Sequence, residues 1–286
     1  MKPSLLQSIT ARMPEFSKGQ RLIAQYILAH YDRAAYMTAS RLGALVEVSE
    51  STVVRFANEL GFDGYPDMQR ALQELTRTSL TAAQRMEVAD NLLDRDNVLD
   101  KVLLGDADKI RHTLEGIDRE AFYAAVEKIV SARNIYILGV RSSAALADFL
   151  TFNFRMMFDN VRAVDGTSGT EIFEQILNIG QEDVMIAISF PRYSRRTARA
   201  VEYAHNAGAD VVAITDSISS PLVAGSDQVL LARSDMASFV DSLVAPLSII
   251  NAMIAAVSMR KHDEVTARLR RLESIWDEYE VYDKNS

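Results

Sequence analysis

Apolar positions recur along this chain with two different periods, and the change of period divides it. Up to residue 77 the period is helical. In "KGQRLIAQYILAHY", Leu22, Ile23, Tyr26 and Ile27 fall on one helix face. "TASRLGALV" and "SESTVVRFANEL" follow within a few residues. Gly61 stands just past the last apolar position of the second, where a helix stop belongs. From 78 to about 93, "TSLTAAQRMEVADNLL" is polar and weakly patterned, which predicts a partly helical linker. Beyond about residue 118, short β-branched runs alternate with longer helical segments. The runs are 134–140, 161–164, 183–190, 210–215 and 227–232. The intervening "SSAALADFLTFNFRMMF", "TEIFEQILNIG" and "SRRTARAVEYAHNAG" have helical patterning, and the end of the chain, "DEVTARLRRLESIWDEYEVY", reads as a charged helix. Continuous apolar strands alternating with helices predict a five-stranded parallel sheet covered on both faces, a three-layer α/β domain behind an all-α N-terminal one.

The helical part contains a tighter pattern. In "LGALVEVSESTVVRFANELGF" (42–62), Leu42, Val46, Val48, Val53 and Phe56 supply the shared core of a two-helix unit. Ser49 precedes the second helix as its cap. Ser51, Thr52, Arg55 and Asn58 project on the other side. In a helix-turn-helix, the first turns of the second helix meet base edges and phosphates, and an arginine fork matches guanine. Ser49, Ser51, Thr52, Arg55 and Asn58 are therefore the candidate DNA contacts. The alternative is a helical hairpin with a merely solvated polar face. Two features run against DNA binding. The turn position where such motifs often carry glycine is Glu47, at a cost of about 1 kcal/mol if left-handed. Glu47 and Glu50 also put negative charge beside the expected phosphates.

Charge sharpens this division. The chain of 286 residues carries a net charge of -8. Residues 1–77 hold nine basic and eight acidic side chains; the remainder holds 22 basic and 31 acidic. An acidic remainder repels nucleic acid, so DNA contact is expected in the first 77 residues. Cysteine is absent, which removes disulfides and thiolate metal sites, and four scattered histidines form no metal-binding pattern. No metal and no cofactor are expected. The N-terminus lacks a continuous apolar core and a cleavage site, so no signal peptide is expected and the protein is placed in the cytoplasm. The longest apolar stretch, 239–259, contains Asp241, Ser242, Pro246, Ser248 and Asn251. Facing lipid would be costly for those groups, so a buried helix and no membrane contact are expected.

Three loops in the α/β part carry hydroxyls just past a strand. "ILGVRSSAALADF" has Gly139 as the turn, then Arg141, Ser142 and Ser143. "AISFPRYSRRT" has Ser189 at the strand end, Arg192 in the loop and Ser194 before the next helix. "AITDSISSPL" follows its strand with Thr215, Ser217, Ser219 and Ser220. Ligands of open parallel sheets bind beyond the carboxyl ends of the strands, where helix N-termini attract anions. Each serine alone is as well explained as a helix cap; three loops at equivalent positions suit a phosphorylated sugar, with Arg192 and Arg141 able to pair with phosphate. The candidate effector contacts are Arg141, Ser142, Ser143, Ser189, Arg192, Ser194, Ser217 and Ser220.

These two units in this order resemble the RpiR family of bacterial transcriptional regulators, which join a helix-turn-helix to a sugar isomerase (SIS) domain. "VSESTVVRFANELGFDGYPDMQ" is similar to the family's recognition helix and the segment after it. "GVRSSA" and "ISFPRYSRRT" are similar to the two phosphate loops of the SIS domain. The resemblance implies that Ser142, Ser143, Ser189 and Ser194 hold the phosphate of a sugar-phosphate effector. Ser189 and Ser194 match the outer hydroxyls of the common "SxSGxT" pattern, and Pro191 and Arg192 replace its middle Ser-Gly. The organisation expected is a helix-turn-helix domain over 1–77, a linker and connecting helix over 78–117, and a SIS domain over 118–286.

The rival is an aldose-ketose isomerase, which needs a carboxylate or histidine base beside the C1–C2 carbons. Glu171 and Glu174 open the helix after "DGTSGT"; His205 lies late in a helix, and His30, His112 and His262 lie elsewhere. No acid–base pair stands at the loop positions, so no catalytic residue is assigned and a sensor rather than an enzyme is expected. A purely structural module leaves the three loops unexplained. The expected partners are double-stranded operator DNA, a phosphorylated sugar or sugar acid, and further copies of the chain in a homodimer or tetramer.

Overall fold

A computed structural model describes residues 5–76, 80–92, 97–165, 169–236 and 238–282. Parts of two stretches read above, the 78–93 linker and the "DGTSGT" segment, lie outside the described residues. The chain divides into two compact units, Met1–Lys101 with Met236–Val240, and Val102–Asp235 with Asp241–Ser286.

The first unit is helical. It contains α1 (Leu5–Arg12), α2 (Lys18–Ala34), α3 (Ala39–Leu45), α4 (Glu50–Glu59), α5 (Tyr65–Thr76) and α6 (Ala82–Leu92). Ser17 starts α2 through a reciprocal capping box with Gln20. Its core gathers Ile23, Ile27, Leu42, Val53, Phe56, Met68 and Leu72, all fully buried. Val46 and Val48 pack against it while partly exposed. Gly61 adopts φ +90 just beyond α4, with nothing within 4 Å of the place a Cβ would take; the left-handed backbone alone selects glycine there. Helix α6 is more firmly seated than its weak pattern predicts. Leu80, Arg85, Val88 and Ala89 are buried, and Gln84 reaches Asp32 at 3.3 Å.

The second unit begins within α7 (Val98–Gly116) and continues with α8 (Arg119–Ser131). Five parallel strands follow: β1 (Ile135–Gly139), β2 (Val161–Val164), β3 (Val184–Ile188), β4 (Asp210–Thr215) and β5 (Gln228–Leu231), in spatial order β2-β1-β3-β4-β5. Their interleaved helices are α9 (Ala144–Met157), α10 (Gly169–Gln175) and α11 (Arg195–Asn206), with α12 (Val244–Arg260) and α13 (His262–Glu278) after the sheet. The pleat sends alternate residues to opposite faces. Ile135, Ile137, Ile186, Ile188, Val212 and Ile214 join Leu150 and Phe154 of α9 and Ile250 and Met253 of α12 in one core. Tyr136, Leu138, Met185, Ala187, Val211 and Ala213 join Ile172 of α10 and Ala200, Val201 and Ala204 of α11 in the other. Each fully buried branched side chain contributes about 1.5–3 kcal/mol, so both sheet faces are strongly specified. The expected three-layer sheet is present, with strand ends within two residues of the apolar runs. The long apolar segment is not helical from its start: the helix begins at Val244, which leaves Pro246 in the first turn, where a missing N–H costs nothing. Among the described residues, no single helix is long and apolar enough to cross a membrane.

Candidate functional site

Sheet register fixes where the three hydroxyl loops start. Gly139 pairs with Ile188, and Ile188 pairs with Ile214. Val140, Ser189 and Thr215 therefore leave the sheet side by side at its carboxyl edge. The chain passes from β1 to β2 on one side and returns to β3 on the other. The loops after β1 and β3 thus flank the crevice where the strand order reverses, the position ligands occupy in open α/β sheets.

Close packing shapes the first loop. A Cβ on Gly139 would lie 2.4 Å from the Ser143 carbonyl oxygen, so only glycine lets the chain turn this tightly. Arg141 then takes φ +58, and a short 3-10 turn, Arg141–Ser143, leads into α9. Ser143 stands at the helix start without a side-chain cap bond and is buried; Ser142 and Arg141 are exposed. In the second loop, Ser194 caps α11 by accepting from the Thr197 amide at 3.3 Å. Ser189 is buried, and its Oγ lies 3.4 Å from the Ser194 amide. Between them Arg192 is exposed at φ +63. Both loop arginines are thus non-glycine residues in the left-handed region, each at about 1–2 kcal/mol of strain, and such strain gathers at binding sites.

The third loop is built differently. Ser220 is buried, its hydroxyl 2.9 Å from Thr215 Oγ1 and accepting from the Leu222 amide. It is a strut of the loop. Ser217, half-buried, lies 2.9 Å from the Ser219 hydroxyl. Thr215 donates to the Ser189 carbonyl at 2.8 Å, tying this loop to its neighbour. Two further residues enter that the hydroxyl pattern missed. Tyr193 donates from its phenol to Asp216 Oδ1 at 2.8 Å, and Asp216 is buried. The signal was in the sequence: an acid directly after the last strand residue, in a row of serines.

Asp216 is the buried carboxylate described at this edge, and it is engaged by Tyr193. His30, His112, His205 and His262 are all exposed. Glu171 and Glu174 lie exposed on α10. Asp183, a strongly partnered acid, directly precedes β3 at the opposite, amino end. It accepts from Arg133 at 3.0 and 2.6 Å, from Asn134 at 2.8 Å and from the Gly180 amide at 2.9 Å. Burial pushes its carboxyl up, but these donors and the Arg133 charge together outweigh that and hold it below the ordinary value.

In the helical unit, α3 and α4 form the helix-turn-helix. The Val48 amide closes the turn on the Gly43 carbonyl at 2.8 Å. A Cβ on Gly43 would meet the Val48 carbonyl oxygen at 2.8 Å, so Gly43 sets how closely the two helices join. Glu47 occupies the left-handed turn position at φ +57, as its place in the motif predicts. Ser49 has the extended backbone of a cap, but its side chain is not the expected cap. Its Oγ lies 2.9 Å from both the Ser51 and the Thr52 hydroxyls, and no amide bond is made. Arg55 lies back along the helix, donating to Ser51 O at 3.2 Å and reaching Thr52 Oγ1 at 3.5 Å. Ser49, Ser51, Thr52 and Arg55 thus form one contiguous polar patch. Asn58 is exposed further along, its Oδ1 accepting from the Gly64 amide at 3.0 Å.

A helix-turn-helix unit followed by a doubly covered sheet with hydroxyl loops at its switch point is the plan of a regulator carrying a sugar isomerase domain. Residues 3–79 match the helix-turn-helix domain of the rpiR family, and residues 128–256 match the SIS domain. The chain belongs to the RpiR family. It is similar to the HTH-type transcriptional regulator HexR of Pseudomonas aeruginosa, 26% identical over 283 residues and covering 94% of each chain. Among solved structures it is similar to the sugar isomerase domain of an RpiR transcription factor from Sphaerobacter thermophilus. The identity is 29% and the TM-score 0.59, over 62% of this chain and 99% of that one. The Vibrio vulnificus NanR protein complexed with ManNAc-6P shares the fold at 21% identity and a TM-score of 0.59, over 96% and 98% of the two chains.

Proposed function

We propose that this protein is a DNA-binding transcriptional regulator of carbohydrate metabolism whose SIS domain senses a phosphorylated sugar or sugar acid. One observation carries the reading: the loops after β1, β3 and β4 leave the sheet in register, the first two flanking its switch point, in a chain that also presents a helix-turn-helix. Ser142, Ser143, Ser189 and Ser194 hold the phosphate, with Arg141 and Arg192 supplying charge where the usual middle serine is missing. Ser217 lies on the sugar side. Ser220 contributes through the shape of its loop. Ser49, Ser51, Thr52 and Arg55 meet the operator, and Asn58 fixes the segment that follows. The chain works in the cytoplasm as a homodimer or tetramer, with a helix-turn-helix domain over 1–77, a connector over 78–117 and a SIS domain over 118–286.

The reading assigns no catalytic residue: an isomerase needs a carboxylate or histidine base at the sugar carbons, the four histidines are exposed, and Asp216 at the loop edge is engaged by Tyr193. The relative named above is a transcriptional regulator, and NanR is complexed with a sugar phosphate. A thermal-shift screen against phosphorylated sugars and sugar acids tests it, with each stabilising compound followed by NMR. The expected result is a ligand that stabilises and stays unchanged. Turnover of that ligand would replace the sensor with an enzyme.

A further inference from the structure

We infer that Tyr193 and Asp216 are a positioning pair that sets the shape of the phosphate loop before any ligand arrives. This rests on the phosphate reading of the Ser189–Ser194 loop. That loop is anchored to β4 at its first residue. The Ser189 amide donates to the Ile214 carbonyl at 3.2 Å, and the Ser189 carbonyl accepts from Thr215 Oγ1 at 2.8 Å. At its far end Ser194 is fixed by capping α11. β3 ends at Ile188, so the residues between lie beyond the strand ladder. Pro191 cannot donate, and Arg192 holds a left-handed backbone that a free loop would abandon.

Within this stretch the described bridge to another element is the Tyr193 phenol on Asp216 Oδ1 at 2.8 Å. Asp216 is only 7% exposed and continues directly from β4. Its position is therefore set by the sheet, and the phenol carries that position across to the loop. Tyr193 is the residue after Arg192, so the bridge fixes the end of the strained peptide. A bond from a neutral phenol to a buried carboxylate is among the stronger kind. Its effect is preorganisation: the loop need not be ordered when the anion binds. Neither residue has to touch the ligand for this.

The test uses the full-length protein with inorganic phosphate as the probe. Tyr193→Phe removes one oxygen and keeps the ring. Phosphate affinity, read by calorimetry, falls by about tenfold, equivalent to about 1.4 kcal/mol. In the ligand-free variant the amides of Arg192, Tyr193 and Ser194 exchange with deuterium about tenfold faster, by the same arithmetic, while core strand amides and the thermal midpoint stay as in the wild type. Adding Asp216→Ala to Tyr193→Phe gives little further loss, because the two act as one unit. Unchanged exchange in Tyr193→Phe overturns the inference even if phosphate binds less well, since the phenol then touches the ligand instead. Faster exchange with unchanged affinity overturns it too. If the wild type itself fails to bind phosphate, the phosphate reading falls, and the positioning role falls with it only if exchange is also unchanged.

Discussion

Ser194 and Asp183 show how two polar side chains at opposite ends of the same sheet differ in purpose. Ser194 caps α11 and stands in the proposed phosphate loop. Ser194→Ala alone costs about 1 kcal/mol of stability through the lost cap, measurable by urea denaturation. Joined with Ser189→Ala it abolishes the phosphate response while operator binding persists; a normal response in the double variant would remove this loop from the site. Asp183 is a clamp at the amino edge, joining the starts of β1 and β3. Asp183→Ala leaves Asn134 and the Gly180 amide without their acceptor and costs about 2–3 kcal/mol, with half-exposed Arg133 rehydrating. Because the folded state holds this carboxyl low, its contribution is present above the unfolded value of about 3.9 and fades as pH falls through the lower folded value. The stability gap between wild type and variant therefore narrows below about pH 4, and phosphate affinity is unchanged in the variant. A constant gap in acid melts would show that the carboxylate charge is not what stabilises this edge.

At the scale of elements, legibility followed the strength of the pattern. The central strands were readable because β1 and β3 are apolar and buried along their whole length and β4 is so after Asp210, and register did the rest: three strands in step place three loops in step. The helix-turn-helix was readable from Leu42, Val53 and Phe56, which are all fully buried. The seating of α6 was not, because it buries few side chains, among them Arg85, and no single-residue pattern reports that. The start of α12 was missed because hydrophobicity runs on through 239–243 while the helix does not. Tyr193 and Asp216 were missed because their partnership crosses 23 positions of sequence. The turn between α3 and α4 yields a prediction of its own. Glu47→Gly relieves the left-handed strain, worth about 1 kcal/mol, and removes a negative charge beside the proposed DNA contacts. It raises both the melting temperature and operator affinity. Gly43→Ala does the reverse, since its Cβ meets backbone at 2.8 Å and opens the turn at a cost of about 1–3 kcal/mol. If gel-shift titrations show Gly43→Ala binding as tightly as wild type, this turn does not set the reading geometry.

For the whole molecule the question is how a chain of net charge -8 reads DNA at all. The acidic excess lies after residue 77, and the first 77 residues are nearly neutral with one excess base. Non-specific attraction is therefore weak, and affinity has to come from fit. One helix-turn-helix covers too few base pairs, so the proposed dimer places two copies on a palindrome, with half-site centres about 34 Å apart or a multiple of it. Arg55→Ala then acts twice per dimer. It costs about 1–3 kcal/mol per lost base contact and relaxes preference at one symmetric pair of positions, measurable by binding to randomised operators. A uniform loss across all sequences would make Arg55 a phosphate contact instead. The same symmetry gives the sensor its leverage. Coupling between effector and operator is reciprocal and typically amounts to about 1–3 kcal/mol. Operator DNA must therefore shift the affinity for the sugar phosphate by the same factor, about 5- to 150-fold, that the sugar phosphate shifts the affinity for DNA. Calorimetry of the effector with and without operator measures that factor directly, and a phosphate-binding protein whose effector affinity ignores the operator would not be a regulator of this kind.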